Sequence, residues 1–351
     1  MNTNFSRPTL EDISNEIHIS RTTIYKVLNH KGNVSDKTRE LVLNALEKYH
    51  YVPNNNARNL ALNKQYTIAL VDFESRDAAY FASSIERGIK QAISDFGDHG
   101  LSVQCYTAPA DRPDRQAADI QTALDAGIRH FIIAAADADN IRPVLIRLKS
   151  MGCTVILLSK DMEQAPCDAF IGIDEYKSGC LAGELVGKML SDDGKLQILV
   201  AKESSSNIAA TKTRLEGFLE GISAFPHVRL SPVLHDLSGS AQITEALHKV
   251  LQDPGLSAVF DLTYHLELIC RILHQEDRSQ LTLVGMDLFP EIRPYIADRT
   301  IDAIIFQNLE AQTHLACRLL FEKMCYGREI TQDKYYSKLE IVMSGNLEYF
   351  L

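Results

Sequence analysis

Two different spacings of apolar residues divide the chain. Within roughly the first fifty residues, apolar side chains recur every three or four positions, which predicts three short amphipathic helices. Their apolar faces are Leu10, Ile13 and Ile17; Ile24, Val27 and Leu28; and Leu41, Val42, Ala45, Leu46 and Tyr49. From Thr67 onward, apolar runs of strand length alternate with helical segments. This second pattern is typical of parallel sheets covered by helices on both faces.

The alternating region supplies most of the chain. Strands are predicted at 68–72, 103–106, 131–135, 155–158, 196–200, 258–260, 281–284 and 336–343. A long amphipathic helix is predicted at 309–326. Gly179, Gly183 and Gly187 lie four residues apart on another predicted helix, a spacing that favours close helix packing over phosphate binding. We therefore predict a small all-α head followed by an α/β body of two doubly wound, parallel-sheet lobes.

The second predicted helix carries the candidate chemistry of the head. Ser20 can cap its N-terminus, and Arg21, Thr22, Tyr25 and Lys26 form a face of hydrogen-bond donors opposite the apolar residues. A helix beginning at a Thr9–Asp12 capping box precedes it. Two short helices joined by a tight turn match the helix-turn-helix geometry that enters a DNA major groove. A plain helical hairpin with solvated polar residues is the alternative.

A series of motifs at fixed spacings extends this pattern. They are T-L-E-D-I, I-S-R-T-T-I, V-L-N, N-V-S-D-K-T-R, Y-V-P-N and A-R-N-L, between Thr9 and Leu60. On these motifs the chain resembles the lactose-repressor (LacI/GalR) family of bacterial regulators. The resemblance implies that Arg21, Thr22 and Lys26 read bases of double-stranded DNA. Tyr25 replaces a small residue of the family on that helix, and Ser20 and Tyr25 are candidate DNA contacts. His18 replaces the usual turn glycine, so its backbone is expected to be left-handed.

Other residues of the head are candidates for DNA contacts outside the base-reading helix. Lys37 and Arg39 begin the third helix and could touch phosphate, although a solvated surface accounts for them equally well. The next segment, 54–66, is too short to be a stable isolated helix and could be a flexible linker. The resemblance implies instead a hinge helix that orders on DNA beside its twin from a second subunit. Ala57 would then allow close approach, Arg58 would contact phosphate, and Leu60 would wedge into the minor groove.

The body resembles the periplasmic sugar-binding fold that this family uses for effector binding, especially its ribose-binding branch. The resemblance rests on I-A-L-V with Tyr80-Phe81, I-G-I-D-E-Y-K-S-G, T-R-L-E-G-F, V-G-M-D and I-I-F-Q. It implies an effector pocket at the strand ends. Its candidate residues are Phe81, Ser159, Lys160, Arg214, Thr263, Asp287 and Gln307. Asp261-Leu-Thr263-Tyr264 departs from the family's Asn-Asp, and each polar residue taken singly could instead be structural.

The resemblance also predicts domain boundaries. A DNA-binding domain is expected at 1–53, a hinge at 54–66 and an effector and dimerisation body at 67–351. The chain should cross between lobes near 160–163, 287–291 and 327–331. The N-lobe would then comprise about 67–161 and 291–327, and the C-lobe about 162–290 and 328–351.

Charge and cysteine content fit these expectations. The net charge is −10, yet residues 1–64 hold nine Lys or Arg against six Asp or Glu, so a slightly basic head joins an acidic body. Seven scattered cysteines without a CxxC pair indicate reduced thiols in a cytosol. The first residues lack the apolar core of an export signal, and no apolar run reaches membrane-spanning length.

Known catalytic motifs are not evident in the sequence. There is no GxGxxG after a strand, no GxxxxGK[ST], no HExxH run and no Ser/His/Asp constellation. We therefore expect a cytoplasmic transcription regulator, most simply a repressor and at least a homodimer. It is expected to use no cofactor or metal, and its operator affinity would depend on a small sugar, sugar acid or polyol. The competing class is a binding protein or enzyme whose N-terminal hairpin has no role on DNA.

Overall fold

The computed structural model describes residues 10–28, 32–49, 64–73, 79–109, 112, 114–135, 138–190, 194–201, 208–237 and 239–350. The chain divides into two compact units, residues 1–62 and 63–351, which we call the head and the body.

The described part of the head consists of three helices around a small core. They are α1 (Leu10–Ile17), α2 (Arg21–Leu28) and α3 (Asp36–Lys48). The core comprises Ile13, Ile24, Val27, Val42, Ala45 and Leu46. The predicted inner faces are confirmed except at Leu41, which is 48% exposed. Leu41 precedes Val42 by one position, about 100° around the helix, and so lies outside the buried stripe.

Side-chain caps and one strained residue define the turns of the head. The Ser20 hydroxyl accepts from the Thr23 amide at 3.3 Å, and the Ser35 hydroxyl accepts from the Thr38 amide at 3.3 Å. His18 has a φ of 51°, as its place in the turn between α1 and α2 requires. Thr9, which would complete the first capping box, lies outside the described residues.

The body alternates strands and helices. Its described strands are β1 (Tyr66–Phe73), β2 (Leu101–Ala108), β3 (His130–Ile133), β4 (Thr154–Leu158), β5 (Ala169–Gly172), β6 (Lys195–Ala201), β7 (Arg229–Leu230), β8 (Leu234–Leu237), β9 (Leu256–Leu262), β10 (Thr282–Met286), β11 (Ala303–Phe306), β12 (Lys334–Tyr336) and β13 (Glu340–Val342). Its described helices are α4 (Ala79–Phe96), α5 (Asp114–Asp125), α6 (Ala138–Ser150), α7 (Glu175–Met189), α8 (Ile208–Ser223), α9 (Gly239–Leu251), α10 (Leu266–Gln275), α11 (Arg293–Ala297) and α12 (Leu309–Tyr326).

These strands form two sheets, one in each lobe. The first lobe has the order β12-β5-β4-β3-β1-β2, and all its pairings are parallel. The second has the order β13-β11-β10-β9-β6-β7, with β8 beside β6, and only β13 is antiparallel. Each sheet carries an apolar cluster on both faces, as the runs of apolar residues predict.

The chain passes between the lobes three times, but later than predicted. Strand β5 pairs with β4 in the first lobe, whereas β11 pairs with β10 in the second. Strand β12 returns to β5 and β13 to β11. The crossings therefore follow Gly172, Phe306 and Tyr336, and the lobe boundaries expected near 160–163, 287–291 and 327–331 are wrong. A short apolar strand has the same pattern whichever sheet it joins, so periodicity could not place these boundaries.

Glycines bring α7 and α8 into unusually close contact. A Cβ added to Gly179 would lie 1.9 Å from the backbone oxygen of Arg214, and one added to Gly183 would lie 2.4 Å from that of Phe218. Gly217 on α8 likewise faces the backbone oxygen of Tyr176, 2.0 Å from its added Cβ. The glycine spacing thus reflects helix packing, as predicted. This packing sets the position of Arg214 relative to the start of α7.

Two further expectations concern the described residues. No helix among them is both long and apolar enough to cross a membrane. All seven cysteines have free thiols; Cys105 is exposed, whereas Cys153, Cys270, Cys317 and Cys325 are buried.

Candidate functional site

The head presents a row of polar side chains on α2. Arg21, Thr22, Tyr25 and Lys26 are all exposed, while Ile24 and Val27 between them are buried. Arg21 lies 3.5 Å from Glu11 of α1 in an exposed ion pair, an interaction weak enough to be exchanged for another partner. The aliphatic part of Lys26 runs beside Gly32. These donors form one continuous face, as a major-groove helix requires.

The remaining candidate DNA contacts differ in exposure and in their local hydrogen bonds. Lys37 is exposed and Arg39 is half-buried, both in the first turns of α3. The Ser20 hydroxyl caps α2 and also meets the hydroxyl of Thr23 at 2.9 Å, so its local role is structural. Ala57, Arg58 and Leu60 lie outside the described residues.

In the body, strained residues mark the carboxyl ends of four strands. Ser159 follows β4 with a φ of 66°, and Asp287 follows β10 with a φ of 63°. Tyr264 and Asn308, two residues after β9 and β11, have φ values of 61° and 54°. Left-handed backbone costs a non-glycine residue about 1–2 kcal/mol. Such strain is concentrated at functional sites, and strand carboxyl ends are where α/β sheets bind ligands.

Arg214 is the cationic centre of this edge of the second lobe. It is 2% exposed, and its Nε and Nη2 donate to the same Glu175 oxygen, at 3.0 and 2.5 Å. Its Nη1 donates to the Tyr264 hydroxyl at 2.9 Å. Burial lowers the pKa of Arg214, but Glu175 and Tyr264 more than offset this and raise it above its ordinary value. The guanidinium therefore stays charged and held on two sides.

Asp287 and Gln307 form a second buried pair, one from the end of β10 and one from the end of β11. Gln307 Nε2 donates to Asp287 Oδ2 at 2.7 Å, and the backbone oxygen of Gln307 accepts from Gln312 Nε2 at 2.7 Å. Asp287 Oδ1 is buried without a hydrogen-bond partner. Burial raises the pKa of Asp287 to about 7, against the lowering effects of Arg214 and Gln307. The carboxylate is thus poised to accept a donor from a ligand.

Three aromatic rings join the lobes beside these polar groups. Phe81 of α4, in the first lobe, has its ring centroid 6.1 Å from that of Tyr264 and 6.0 Å from that of Phe289, both in the second lobe. Tyr264 and Phe289 meet edge to face at 6.5 Å. The structure therefore brings Phe81 to the same site as Arg214, with Tyr264 as the link. An aromatic face of this kind can pack on the C–H face of a sugar.

Ser159 and Lys160 lie at the strand ends of the first lobe. Lys160 Nζ is 4.3 Å from the centroid of the Phe73 ring, at the end of β1. Burial lowers the pKa of Lys160 to about 8, while Asp72 opposes that shift. Burial likewise raises the pKa of Asp72 to about 6, against the lowering effects of the Phe73 amide and Lys160. The first lobe thus contributes one carboxylate and one ammonium group, each of which favours the charged form of the other.

Thr263 is less well placed than predicted. Its hydroxyl donates to Asp261 Oδ1 at 2.6 Å, and its amide donates to the same oxygen at 2.9 Å. Both side chains are buried, so Thr263 closes a local turn after β9. Glu175 and Phe289 were not predicted from the sequence, and Tyr264 was noted only as a departure from the family's pattern. The signals were an acidic residue directly after a helix cap and aromatics two or three residues after strand ends.

The described residues also bear on metal binding. No group of three or more His, Cys, Asp or Glu side chains is arranged to hold a metal ion there.

Comparison with known proteins identifies the family. Residues 9–54 match the family described as bacterial regulatory proteins, lacI family, and residues 70–329 match the periplasmic binding protein domain. The chain belongs to the lacI family. The lacI-type head and binding-protein body thus occur in the order that the motifs predict.

Relatives of this lacI-family chain carry regulator names. It is 27% identical over 231 residues to the HTH-type transcriptional regulator MalR of Streptococcus pneumoniae, covering 62% of this chain and 63% of that protein. It is 25% identical over 345 residues to the sucrose operon repressor of Pediococcus pentosaceus, covering 96% and 98%.

Solved structures support the fold of the body. A sugar-binding protein of a Bacillus halodurans sugar ABC transporter superposes with a TM-score of 0.72, at 16% identity, over 82% of this chain and 100% of its own. The arabinose-binding protein AraP of Geobacillus stearothermophilus superposes with a TM-score of 0.71, at 16% identity, over 82% and 100%.

Proposed function

We propose that this lacI-family protein is a cytoplasmic DNA-binding repressor whose operator affinity is set by a small sugar-like effector held between the lobes of the body. The observation that carries the proposal is Asp287, a buried carboxylate with one oxygen fixed by Gln307 and the other without a partner. It lies at a strand end in a chain whose head exposes a row of donors. A ligand-controlled regulator needs both a group that can receive a ligand and a face that can read DNA.

On DNA, α2 would lie in the major groove. Arg21, Thr22 and Lys26 would read base edges, since Arg and Lys donate to guanine and Thr contacts several bases. Ser20, Tyr25, Lys37 and Arg39 would contact the backbone or flanking bases. The exposure of the row on α2 supports this assignment.

The hinge would connect effector binding to DNA binding. Ala57 and Arg58 would lie in a helix that orders on DNA, and Leu60 would wedge between base steps of the minor groove. Two copies of the chain would be needed for a palindromic operator, so we propose a homodimer.

In the body, the effector would meet Phe81, Ser159, Lys160, Arg214, Thr263, Asp287 and Gln307. Polar groups fixed in advance orient such a ligand, and aromatic rings cover its apolar face. Phe81, Arg214, Asp287 and Gln307 are supported by their shared location, whereas the Thr263 hydroxyl already bonds Asp261. Ligand that binds one arrangement of the lobes more tightly would shift the population of DNA-competent hinges.

A selection from random duplexes followed by a salt series tests the regulator assignment. We expect one palindromic sequence to be enriched, and its affinity to fall steeply with salt while its preference over a scrambled duplex persists. Equal affinity for both duplexes at every salt concentration would reject the proposal. It would favour a binding protein whose head has no role on DNA. A thermal-shift screen with sugars and polyols tests the effector, because a bound ligand raises apparent stability.

A further inference from the structure

Three of the five N–H groups of Arg214, one on each nitrogen, donate to groups of this chain. A guanidinium binds a carboxylate best through two adjacent N–H groups that donate in parallel. Nε and Nη2, which form one such edge, both donate to Glu175 Oε2. Nη1, which would complete the other edge, donates to the Tyr264 hydroxyl. A carboxylate approaching the Nε/Nη2 edge would have to displace Glu175, and one approaching the Nη1/Nη2 edge would meet the Tyr264 hydroxyl at Nη1.

In contrast to these donors, one acceptor of the site has no partner. Asp287 Oδ2 accepts from Gln307, while Oδ1 is buried with no hydrogen-bond partner. Asp287 is 1% exposed. Arg214, Glu175 and Asp287 influence one another electrostatically, so these three charges share one site. When Asp287 is ionised, its Oδ1 therefore lacks a donor, and a hydroxyl or an ammonium group of a ligand would supply one.

The charges of the site also disfavour an anionic ligand. Glu175 bonds the guanidinium of Arg214, and Asp287 is near enough to interact electrostatically with both groups. A third carboxylate would be repelled by both carboxylates in a poorly solvated place. An uncharged hydroxyl adds no repulsion, and an amine-bearing ligand would offset the excess negative charge.

We propose that Glu175 is a specificity-determining residue: by holding Arg214, it makes the site accept uncharged or amine-bearing polyhydroxy compounds and reject sugar acids. This inference rests on the proposed effector function and narrows it. Arg214 acts here as a fixed positive charge. It does not bind an anionic ligand through a pair of adjacent N–H groups. On the second edge of the guanidinium, Nη1 donates to the Tyr264 hydroxyl.

Matched ligands test the inference. Wild-type protein and Glu175→Gln would be titrated calorimetrically with glucose, glucosamine and glucuronate, and with the three corresponding galactose compounds. In the wild type we expect binding of an aldose or amino sugar and at least tenfold weaker binding of the matched uronate. In Glu175→Gln, which keeps the shape but loses the charge, the uronate should gain at least tenfold relative to its aldose. Glu184→Gln, on the exposed side of α7, should leave the ratio unchanged.

Three results would overturn the inference. They are tighter wild-type binding of a uronate than of its aldose, an unchanged ratio in Glu175→Gln, and no response to any of the six compounds. In each case a retained preference for one operator sequence would leave the regulator assignment standing, so the two failures can be told apart.

A second variant covers the case in which Glu175→Gln does not fold. Glu175→Ala leaves space beside Arg214, and millimolar formate or acetate should restore its melting temperature toward that of wild type. The same anions should not raise the melting temperature of wild type. Equal responses of the two proteins would show that Glu175 does not occupy the guanidinium and would overturn the inference.

Discussion

Asp287 combines a proposed binding role with a cost to folding. Its backbone is left-handed, its carboxylate is buried, and one of its oxygens has no partner. Burying an ionised group without full compensation is unfavourable. Because burial raises its pKa from 3.8 to about 7, the folded state holds this proton more tightly than the unfolded state between these values. Stability contributed by this residue is therefore present at low pH and lost as the pH rises from about 4 to about 7.

Asp287→Asn should reverse that loss. Asparagine tolerates left-handed backbone and can still accept from Gln307, but it carries no charge. At pH 8 we expect the variant to have a higher free energy of unfolding, by at most a few kcal/mol, since one pKa unit corresponds to about 1.4 kcal/mol. At pH 4 the difference should vanish. Melting temperatures measured across this range would check the prediction. Asp277→Asn, an exposed and equally left-handed control, should show no such trend.

Arg21 and Lys26 make a different residue-level prediction. Replacing either with alanine should weaken operator binding by roughly 1–3 kcal/mol and relax specificity at one or two base pairs. Lys37→Ala, at a candidate phosphate contact, should instead weaken all duplexes alike and reduce the salt dependence. Competition binding with single-base operator variants distinguishes these outcomes. A uniform loss for all three variants would assign Arg21 and Lys26 to the phosphate backbone.

A motif can name the position of a side chain, whereas the fold determines which group that side chain meets. The motifs led to Arg214, Asp287 and Gln307. They could not show that Glu175, 39 residues before Arg214 in the chain, takes two of its N–H groups. Thr263 was assigned to the pocket by position, yet its hydroxyl bonds Asp261 two residues away. Only the turn geometry after β9 decides between those two uses.

At the scale of elements, the contact of α7 with α8 determines where Arg214 lies. The backbone of α8 at Arg214 approaches so near to Gly179 that no Cβ fits between them. Glu175 begins α7 directly after its Asp174 cap, whose side chain accepts from the Lys177 amide. The two ends of the Arg214–Glu175 ion pair are therefore fixed by helix packing rather than by the flexibility of their side chains.

Gly179→Ala should separate the two helices. Its new Cβ would meet backbone, which cannot turn away, so we expect a loss of roughly 1–3 kcal/mol of stability from overpacking. The effector response should weaken as well, because Arg214 moves with α8. Denaturant unfolding and ligand titration would measure both effects. Gly345→Ala, whose Cβ would meet nothing within 4 Å, is the matched control and should be nearly neutral. An equally stable Gly179→Ala protein would show that α8 shifts without cost.

The longest periodic pattern was predicted accurately, whereas some of the short elements were missed. The bounds of α12 were predicted to the residue, since eighteen residues of helical period end at a glycine. Strand β5 has only four residues and was missed. The final strand expected at 336–343 is instead β12 in one sheet and β13 in the other, divided at the third crossing.

At the scale of the whole molecule, regulation requires that the body influence the DNA-binding segment. The described body has three chain crossings, and Phe81 adds a ring contact between its lobes. A change in lobe closure would therefore be transmitted through few connections. The segment between the body and the head carries the proposed hinge, with Leu60 as its apolar wedge.

Leu60→Ser should uncouple DNA bending from effector binding. Unstacking a base step costs a few kcal/mol, which an inserted apolar side chain and the contacts of a bent duplex recover. We expect lower operator affinity and a smaller bend angle in a circular-permutation gel assay, with effector affinity unchanged. Leu62→Ser, two residues further along the same segment, is the comparison. Equal bending by wild type and Leu60→Ser would remove the wedge from the mechanism.

The chain crossings also determine when each sheet can be completed during synthesis on the ribosome. The edge strands β12 and β13 are the last described strands to be made, and they cover β5 and β11. A chain ending at Gly327 would possess all of the described helices α1 to α12, yet β5 and β11 would each have one edge without a partner strand. Open strands of this kind pair with other chains. Premature termination before Lys334 should therefore yield insoluble protein, visible by sedimentation of the truncated product, and neither sheet of the nascent body can be completed until these edge strands have emerged.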